Sequence, residues 1–422
     1  MPLQVQSAIG LLIIPLIAFL LRERSRTLAW KPALRIVVVG IAIQVGIAAT
    51  MLAVPATRAV FAAIGDGVAA LQTATAAGTQ LVFGYLAGGP APFEITNPQN
   101  AFVAAFQAFP LILMISAIAS LLFYWGVLQR VVHVLAILLS RSLGVSGPTA
   151  TGAAANIFVG MIEAPLFIRP YLRNMDRGSL FALMTVGLAT IAGTVLVLYA
   201  SILTDVVPDA AGHLIVASVI SAPAALMLAQ LMIPPGPGAP EAEEIEESTG
   251  EAEARPTSAI DAITSGTQDG VVLLTGVIST LLVFVALVAL TDQILASISG
   301  PLDLSLQKIG GWIFAPVAWL IGIPWSEAGA AGGLLGIKTV TNELVAFITM
   351  AGEPDALSER SRLIMTYALA GFANFGSVGI MIGGLAALMP DRRPEIVELG
   401  LKSLVSGTLA TLMTGAVIGL LV

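Results

Sequence analysis

The chain of 422 residues contains no cysteine, which excludes a disulfide framework, thiolate catalysis and a thiolate metal site. Histidine is nearly as scarce. Only His133 and His213 occur, too far apart in sequence to form a helical metal pair. Neither a His-Glu-x-x-His nor a Gly-x-Ser-x-Gly pattern is present. With no nucleophile–base pair and no metal constellation, an enzyme is not expected, and no organic cofactor or nucleic-acid partner is expected either. Charge is low as well: 11% of residues are charged, against 57% hydrophobic. Apolar runs of about 20 residues recur, and the mean hydropathy is +0.94, so the chain belongs in a membrane as a helical bundle. An outer-membrane barrel would need short alternating segments, which the sequence lacks.

The formal net charge of −7 is local. Seven Glu and one Arg fall within 241–255, so the rest of the chain is nearly neutral. Pro234, Pro235, Pro237 and Pro240 precede this acidic run, and together they read as an exposed flexible linker over 236–260. The chain then divides into 1–100 (two spans and an interfacial segment), 101–235, the linker, and 261–422. The first apolar run begins at the second residue without a basic leader and reads as a retained span.

Eight spans are expected, at 5–21, 36–55, 104–126, 179–203, 213–233, 271–291, 361–388 and 396–421. Arg22, Arg24, Arg26, Lys31 and Arg35 follow the first span and place that loop in the cytoplasm. Both termini are then expected outside. Segments 145–175 and 325–350 are apolar but broken by Gly, Pro and charge. They read as re-entrant hairpins opening from opposite sides, since irregular backbone survives at membrane depth only under protein or water.

Each hairpin carries an acid, Glu163 in one and Glu343 in the other. Each is followed by a Gly-rich span, Gly187-Leu-Ala-Thr190 in one and Gly371-Phe-Ala-Asn374 in the other. An inverted repeat of broken segments is a pattern of secondary transporters, with the site between the copies. Buried acids need a partner or a task. Glu163 and Glu343 suit a ligand rich in hydroxyl or N–H donors; the competing reading is a structural ion pair with Arg169, Arg173 or Lys338. Asn374 and Ser377, three apart on a helix, are expected to face the same ligand, with Phe372 as an apolar wall. Asn156 and Thr190 bring side-chain oxygens to expected helix breaks and suit a hard monovalent cation; capping is the other reading of Asn156. Asp269-Gly270 and Asp66-Gly67 are expected at the ends of spans or on surface helices, without a role.

The chain resembles the concentrative nucleoside transporters in their bacterial eight-span form. The resemblance runs through Gly78-Thr-Gln-Leu-Val-Phe-Gly84, Ala155-Asn-Ile-Phe-Val-Gly160 and Glu163-Ala-Pro-Leu-Phe-Ile-Arg-Pro-Tyr171. It continues through Gly187-Leu-Ala-Thr-Ile-Ala-Gly193, Val216-Ala-Ser-Val-Ile-Ser-Ala-Pro223, Asn342-Glu343 and Gly371-Phe-Ala-Asn-Phe-Gly-Ser377. It implies a homotrimer in the bacterial inner membrane that imports nucleosides with sodium, or with protons, by an elevator motion. By the same resemblance Glu343, Asn374 and Ser377 hold ribose hydroxyls, Glu163 joins that network, and Phe372 and Val195 line the base. Sodium would sit on Asn156, Thr190 and the backbones of Val159 and Ile191.

One stretch departs from the family. Its usual hairpin reads Gly-Gln-Thr/Ser-Glu-Ala-Pro, whereas this chain has Gly160-Met161-Ile162-Glu163-Ala-Pro. Two groups that read the base by hydrogen bonds are replaced by apolar ones, so altered or relaxed base selectivity is expected. A channel without a coupled solute is the alternative from another class, because broken helices and midplane acids occur there too.

Overall fold

The computed structural model describes residues 2–23, 28–53, 55–95, 101–236, 256–300 and 304–422. The acidic run at 241–255, and Arg24 and Arg26 of the first basic loop, lie outside the described residues. Among those described the chain is helical, without a strand.

Two apolar helices open the chain, α1 (Leu3–Leu20) and α2 (Trp30–Ala53), followed by the more polar α3 (Pro55–Phe83). Asp66 is exposed on α3. After the short α4 (Ala104–Gln107) comes a first unit. It comprises α5 (Leu111–Tyr124), α6 (Val127–Leu143), α7 (Gly147–Asn156), the short α8 (Arg169–Leu172), α9 (Arg177–Ala189), α10 (Gly193–Leu203) and α11 (Ala210–Met232). The second unit repeats that order. It contains α12 (Ala259–Ser299), α13 (Leu306–Leu320), α14 (Trp325–Val340), α15 (Glu343–Gly352), α16 (Glu359–Leu369), α17 (Phe375–Leu388) and α18 (Arg393–Leu421).

Each unit has a long helix, an amphipathic helix, a broken hairpin, a broken span and an intact span. Packing repeats too: α6 lies on α7 as α13 lies on α14, α7 meets α9 as α14 meets α16, and α9 meets α11 as α16 meets α18. A hairpin returns to the side it left, so each unit crosses three times. An odd number of crossings inverts the second unit relative to the first, as the sequence implied.

The breaks have local causes. Ser146 caps α7, with Pro148 in its first turn, and Asn342 caps α15 by accepting the Val345 N–H at 3.0 Å. The span expected at 179–203 is interrupted at 190–192. The one expected at 361–388 is interrupted at 370–374, and neither half of it is long enough to cross alone. Among the described residues seven segments are long and apolar enough to span, the interrupted 177–203 among them, and the broken pair α16 and α17 is added to these as the eighth expected span. α13 and α14 meet at 118° and double back, which removes them as a single span.

Asp269-Gly270 lies within α12, a 41-residue helix that Ser258 caps through the Asp261 N–H and that extends beyond the expected 271–291 span at both ends. Gly266 and Gly270 lie on α5 so closely that a Cβ at Gly266 would sit 2.6 Å from the Ser116 carbonyl oxygen. The shared Gly-x-Ala motif is also out of register. Gly187 lies inside α9, whereas Gly371 lies in the break after α16. The elements repeat; the motif does not.

Candidate functional site

The two units exchange contacts at their breaks. α10, the second half of one broken span, packs on α15 of the other unit. Reciprocally, Ile162 of the first hairpin packs on α17, where a Cβ at Gly384 would meet its side chain at 3.2 Å. The centre of the protein is thus built from both hairpins and both breaks.

Glu343 is the best-held acid there. It is 4% exposed, and its Oε1 accepts from the Tyr199 hydroxyl at 2.6 Å while Oε2 accepts from Asn374 Nδ2 at 3.0 Å. Asn374 is not on the face of a helix, as its spacing from Ser377 suggested. It caps α17 and accepts the Ser377 N–H at 2.7 Å with its side-chain oxygen, leaving its amide for Glu343. Ser377 is buried one turn away. A carboxylate offers about four lone-pair sites, so Glu343 keeps acceptor capacity for a ligand. Tyr199 was invisible to sequence reasoning, being one aromatic in an apolar run. A tyrosine alone at membrane depth, needing a hydroxyl partner, was the available signal.

Ion-pair readings of the two acids find no support among the described residues. Lys338 donates instead to the Ala368 carbonyl at 2.8 Å and to Thr411 Oγ1 at 3.0 Å. The ion pairs among the described residues instead gather around Glu23, Arg177, Glu398 and Lys402 and include neither acid. Glu163 has an exposed side chain, and its carboxylate folds over Gly160 closely enough that any Cβ there would displace it. Its carboxylate is held by backbone N–H groups of its own turn, at Glu163, Ile162 and Gly160, and not by a basic side chain among the described residues. Ile162 is 39% exposed beside it, while Met161 is buried against Gly187 of α9. Val195 is buried on α10, and Phe372 is half-buried in the second break. The structure therefore sets Glu343, Asn374, Ser377 and Phe372 around the second break, with Ile162 reaching α17 from the first hairpin.

A second cluster lies where α7 and α9 end. Thr190 Oγ1 donates to the Asn156 carbonyl at 3.2 Å and to the Val186 carbonyl at 3.0 Å. The Ser218 hydroxyl of α11 lies 3.3 Å from the carbonyls of both Ile157 and Ile191, and the Gly193 N–H bonds the Phe158 carbonyl at 2.9 Å. Two helix C-termini therefore aim their negative ends at one place, with two hydroxyl oxygens among their carbonyls. Asn156 is buried and its Nδ2 has no partner. Turned by 180°, the same carboxamide presents an oxygen. This is a donor set for a hard monovalent cation. Of the expected ligands, Asn156, Thr190 and Ile191 fall in the cluster. Val159 lies in the turn just beyond Asn156, where its N–H bonds the Ala155 carbonyl and its own carbonyl is left outside the helix. Ser218 was not foreseen.

Three family models match the chain: Na+ dependent nucleoside transporter N-terminus over 9–86, Nucleoside recognition over 105–205, and Na+ dependent nucleoside transporter C-terminus over 213–419. A transporter of Haemophilus influenzae is 38% identical, covering 99% of this chain and 97% of its own length. The nucleoside permease NupC of Helicobacter pylori is 34% identical over 99% of this chain and 97% of its own. Among solved structures, CNTnw in an inward-facing substrate-bound state superposes with a TM-score of 0.88 at 36% identity, covering 99% of this chain and 97% of that one.

Proposed function

This chain belongs to the Na+-dependent nucleoside transporter family, and from that premise we propose that it is a secondary active importer of nucleosides or close analogues, driven by sodium. The observation that carries the reading is Glu343, held by Tyr199 from one unit and Asn374 from the other. A polar ligand rich in hydroxyls finds there a fixed acceptor and a buried Ser377, with Glu163 proposed to join them from the first hairpin. The carbonyl and hydroxyl cluster at Asn156 and Thr190 supports the coupling ion, and sodium is preferred over a proton because the donors are neutral oxygens.

The two hairpins and their partner spans move together in an elevator step, carrying the site between faces. α12 suits the fixed part, because none of its apolar length is buried within the chain and it meets lipid or further copies. A homotrimer in a bacterial inner membrane, with both termini outside, completes the reading. Ile162 and Met161 leave the base half of the site without its hydrogen-bonding pair, so the substrate is selected by its sugar more than by its base.

Competition of unlabelled nucleosides, deoxynucleosides and free nucleobases against one labelled nucleoside tests this. Broad competition by nucleosides with none by nucleobases is expected. Competition by nucleobases alone would contradict it.

A further inference from the structure

The cation cluster of the first unit has a counterpart in the second. In the first, the end of α7, the end of α9 and the middle of α11 meet through carbonyls and hydroxyls at Asn156, Thr190 and Ser218. The corresponding elements of the second unit are the end of α14, the end of α16 and the middle of α18. They also meet, and an ammonium stands at their junction. Lys338, near the end of α14, donates to the Ala368 carbonyl near the end of α16 and to Thr411 Oγ1 on α18.

Lys338 is 2% exposed, and among the described residues no carboxylate lies within ion-pairing distance of it. An ammonium so deep, satisfied only by neutral oxygens, is costly unless its surroundings are themselves negative. The junction supplies part of that: the Ala368 carbonyl near the C-terminus of α16 accepts from the ammonium, and Lys338 itself stands in the last turn of α14, where a helix end favours positive charge. The first unit presents the same type of surroundings with no basic side chain among Asn156, Thr190 and Ser218.

We propose that Lys338 is a tethered counterpart of the coupling cation, filling in the second unit the junction that sodium fills in the first. One repeat thus takes its positive charge from solution, and the other carries it covalently. The consequence is stoichiometric: Lys338 keeps the second junction closed to sodium and fixes how many ions accompany each substrate. It travels with its hairpin in both directions and moves no net charge over a full cycle. This rests on the reading of Asn156 and Thr190 as the sodium site, and the test separates the two.

The experiment is equilibrium binding of radioactive sodium to the purified full chain in detergent, with thermal melting as a check on folding. Lys338→Asn removes the ammonium and supplies an oxygen, so sodium binding per chain should double relative to the unaltered protein. Lys338→Arg keeps a tethered cation and should leave it unchanged. Thr190→Ala should weaken the unaltered protein's sodium binding roughly ten-fold, and the Lys338→Asn, Thr190→Ala double variant should bind one sodium at the second junction with the affinity that Lys338→Asn shows there.

A folded Lys338→Asn that binds no more sodium than the unaltered chain overturns the proposal. Sodium bound by Lys338→Asn but not by the unaltered chain would instead sink the reading of the first junction and keep the proposal. If neither Lys338→Asn nor Lys338→Gln folds at any sodium concentration, a mobile cation does not replace the ammonium, and the proposal also fails.

Discussion

The Tyr199 hydroxyl donates a 2.6 Å hydrogen bond to Oε1 of Glu343, tying the second half of one unit's broken span to the hairpin of the other. Both groups are buried, so the bond is worth more than its surface equivalent and its loss leaves a polar atom stranded. Hydrogen bonds to charged groups contribute about 1.5–3 kcal/mol. Tyr199→Phe should therefore lower the melting temperature by a few degrees and, by leaving Glu343 less firmly held, lower nucleoside affinity roughly ten-fold. Isothermal titration of the purified protein measures it.

Glu343→Gln should abolish uptake while the protein remains folded. The amide nitrogen would face either the Tyr199 hydroxyl or the Asn374 amide, both of which donate to the carboxylate at present. One of those donors loses its acceptor, and the ligand loses its charged one. Uptake in proteoliposomes alongside thermal melting separates loss of transport from loss of fold; normal uptake would remove Glu343 from the site.

Thr190→Ala removes the hydroxyl that lies on the Asn156 and Val186 carbonyls. Sodium should then be needed at roughly ten-fold higher concentration for half-maximal uptake, in line with the loss of about 1–2 kcal/mol from one oxygen ligand. Maximal uptake at saturating sodium should be largely kept. An unchanged sodium dependence would show that the cluster does not hold the ion.

Ile162 sits at the opening beside Glu163 and packs on Gly384, whereas Met161 is buried against Gly187. Ile162→Thr should thus act on selectivity without disturbing the core. It should raise discrimination between bases about ten-fold, because a site that pairs polar groups rejects ligands lacking them. Met161→Gln alone should chiefly destabilise the fold, by placing an amide in an apolar contact. Inhibition constants for a panel of nucleosides, with melting curves for both variants, decide between them.

The charged cluster at the start of α9 predicts a pH dependence. The Arg177 guanidinium at 2.8 Å is the main cause that holds the Glu23 carboxyl at about 2, below its ordinary 4.5, with Lys402 assisting and partial burial opposing. A depressed carboxyl contributes stability that is fully present above the unfolded value and is lost as pH falls through the folded one. Melting temperature should drop between pH 4.5 and about 2, and Glu23→Gln should flatten that drop.

Much of this architecture was legible in the sequence. Membrane helices must satisfy their own backbone, so Gly and Pro inside apolar runs, as at Gly147-Pro148, announced broken segments. Glu163 and Glu343 stood out because charge is rare at that depth. What sequence did not reveal were partners set by packing between helices that are distant in the chain. Tyr199 meets Glu343 across 144 positions, and Lys338 meets Thr411 across 73. Nor does spacing tell a cap from a helical face, which is why Asn374 was read as helical when it starts α17. Lys338 reads from the sequence only as an ion-pair partner for the two acids, since no pattern points to the Ala368 carbonyl.

Proteoliposomes loaded without sodium, then diluted into sodium and a labelled nucleoside, test the central claim most directly. Nucleoside should accumulate above its external concentration, and replacing sodium by choline at constant pH should abolish the accumulation. Entry that only equilibrates, or no uptake of any nucleoside under either a sodium or a proton gradient, would contradict a sodium-coupled nucleoside importer.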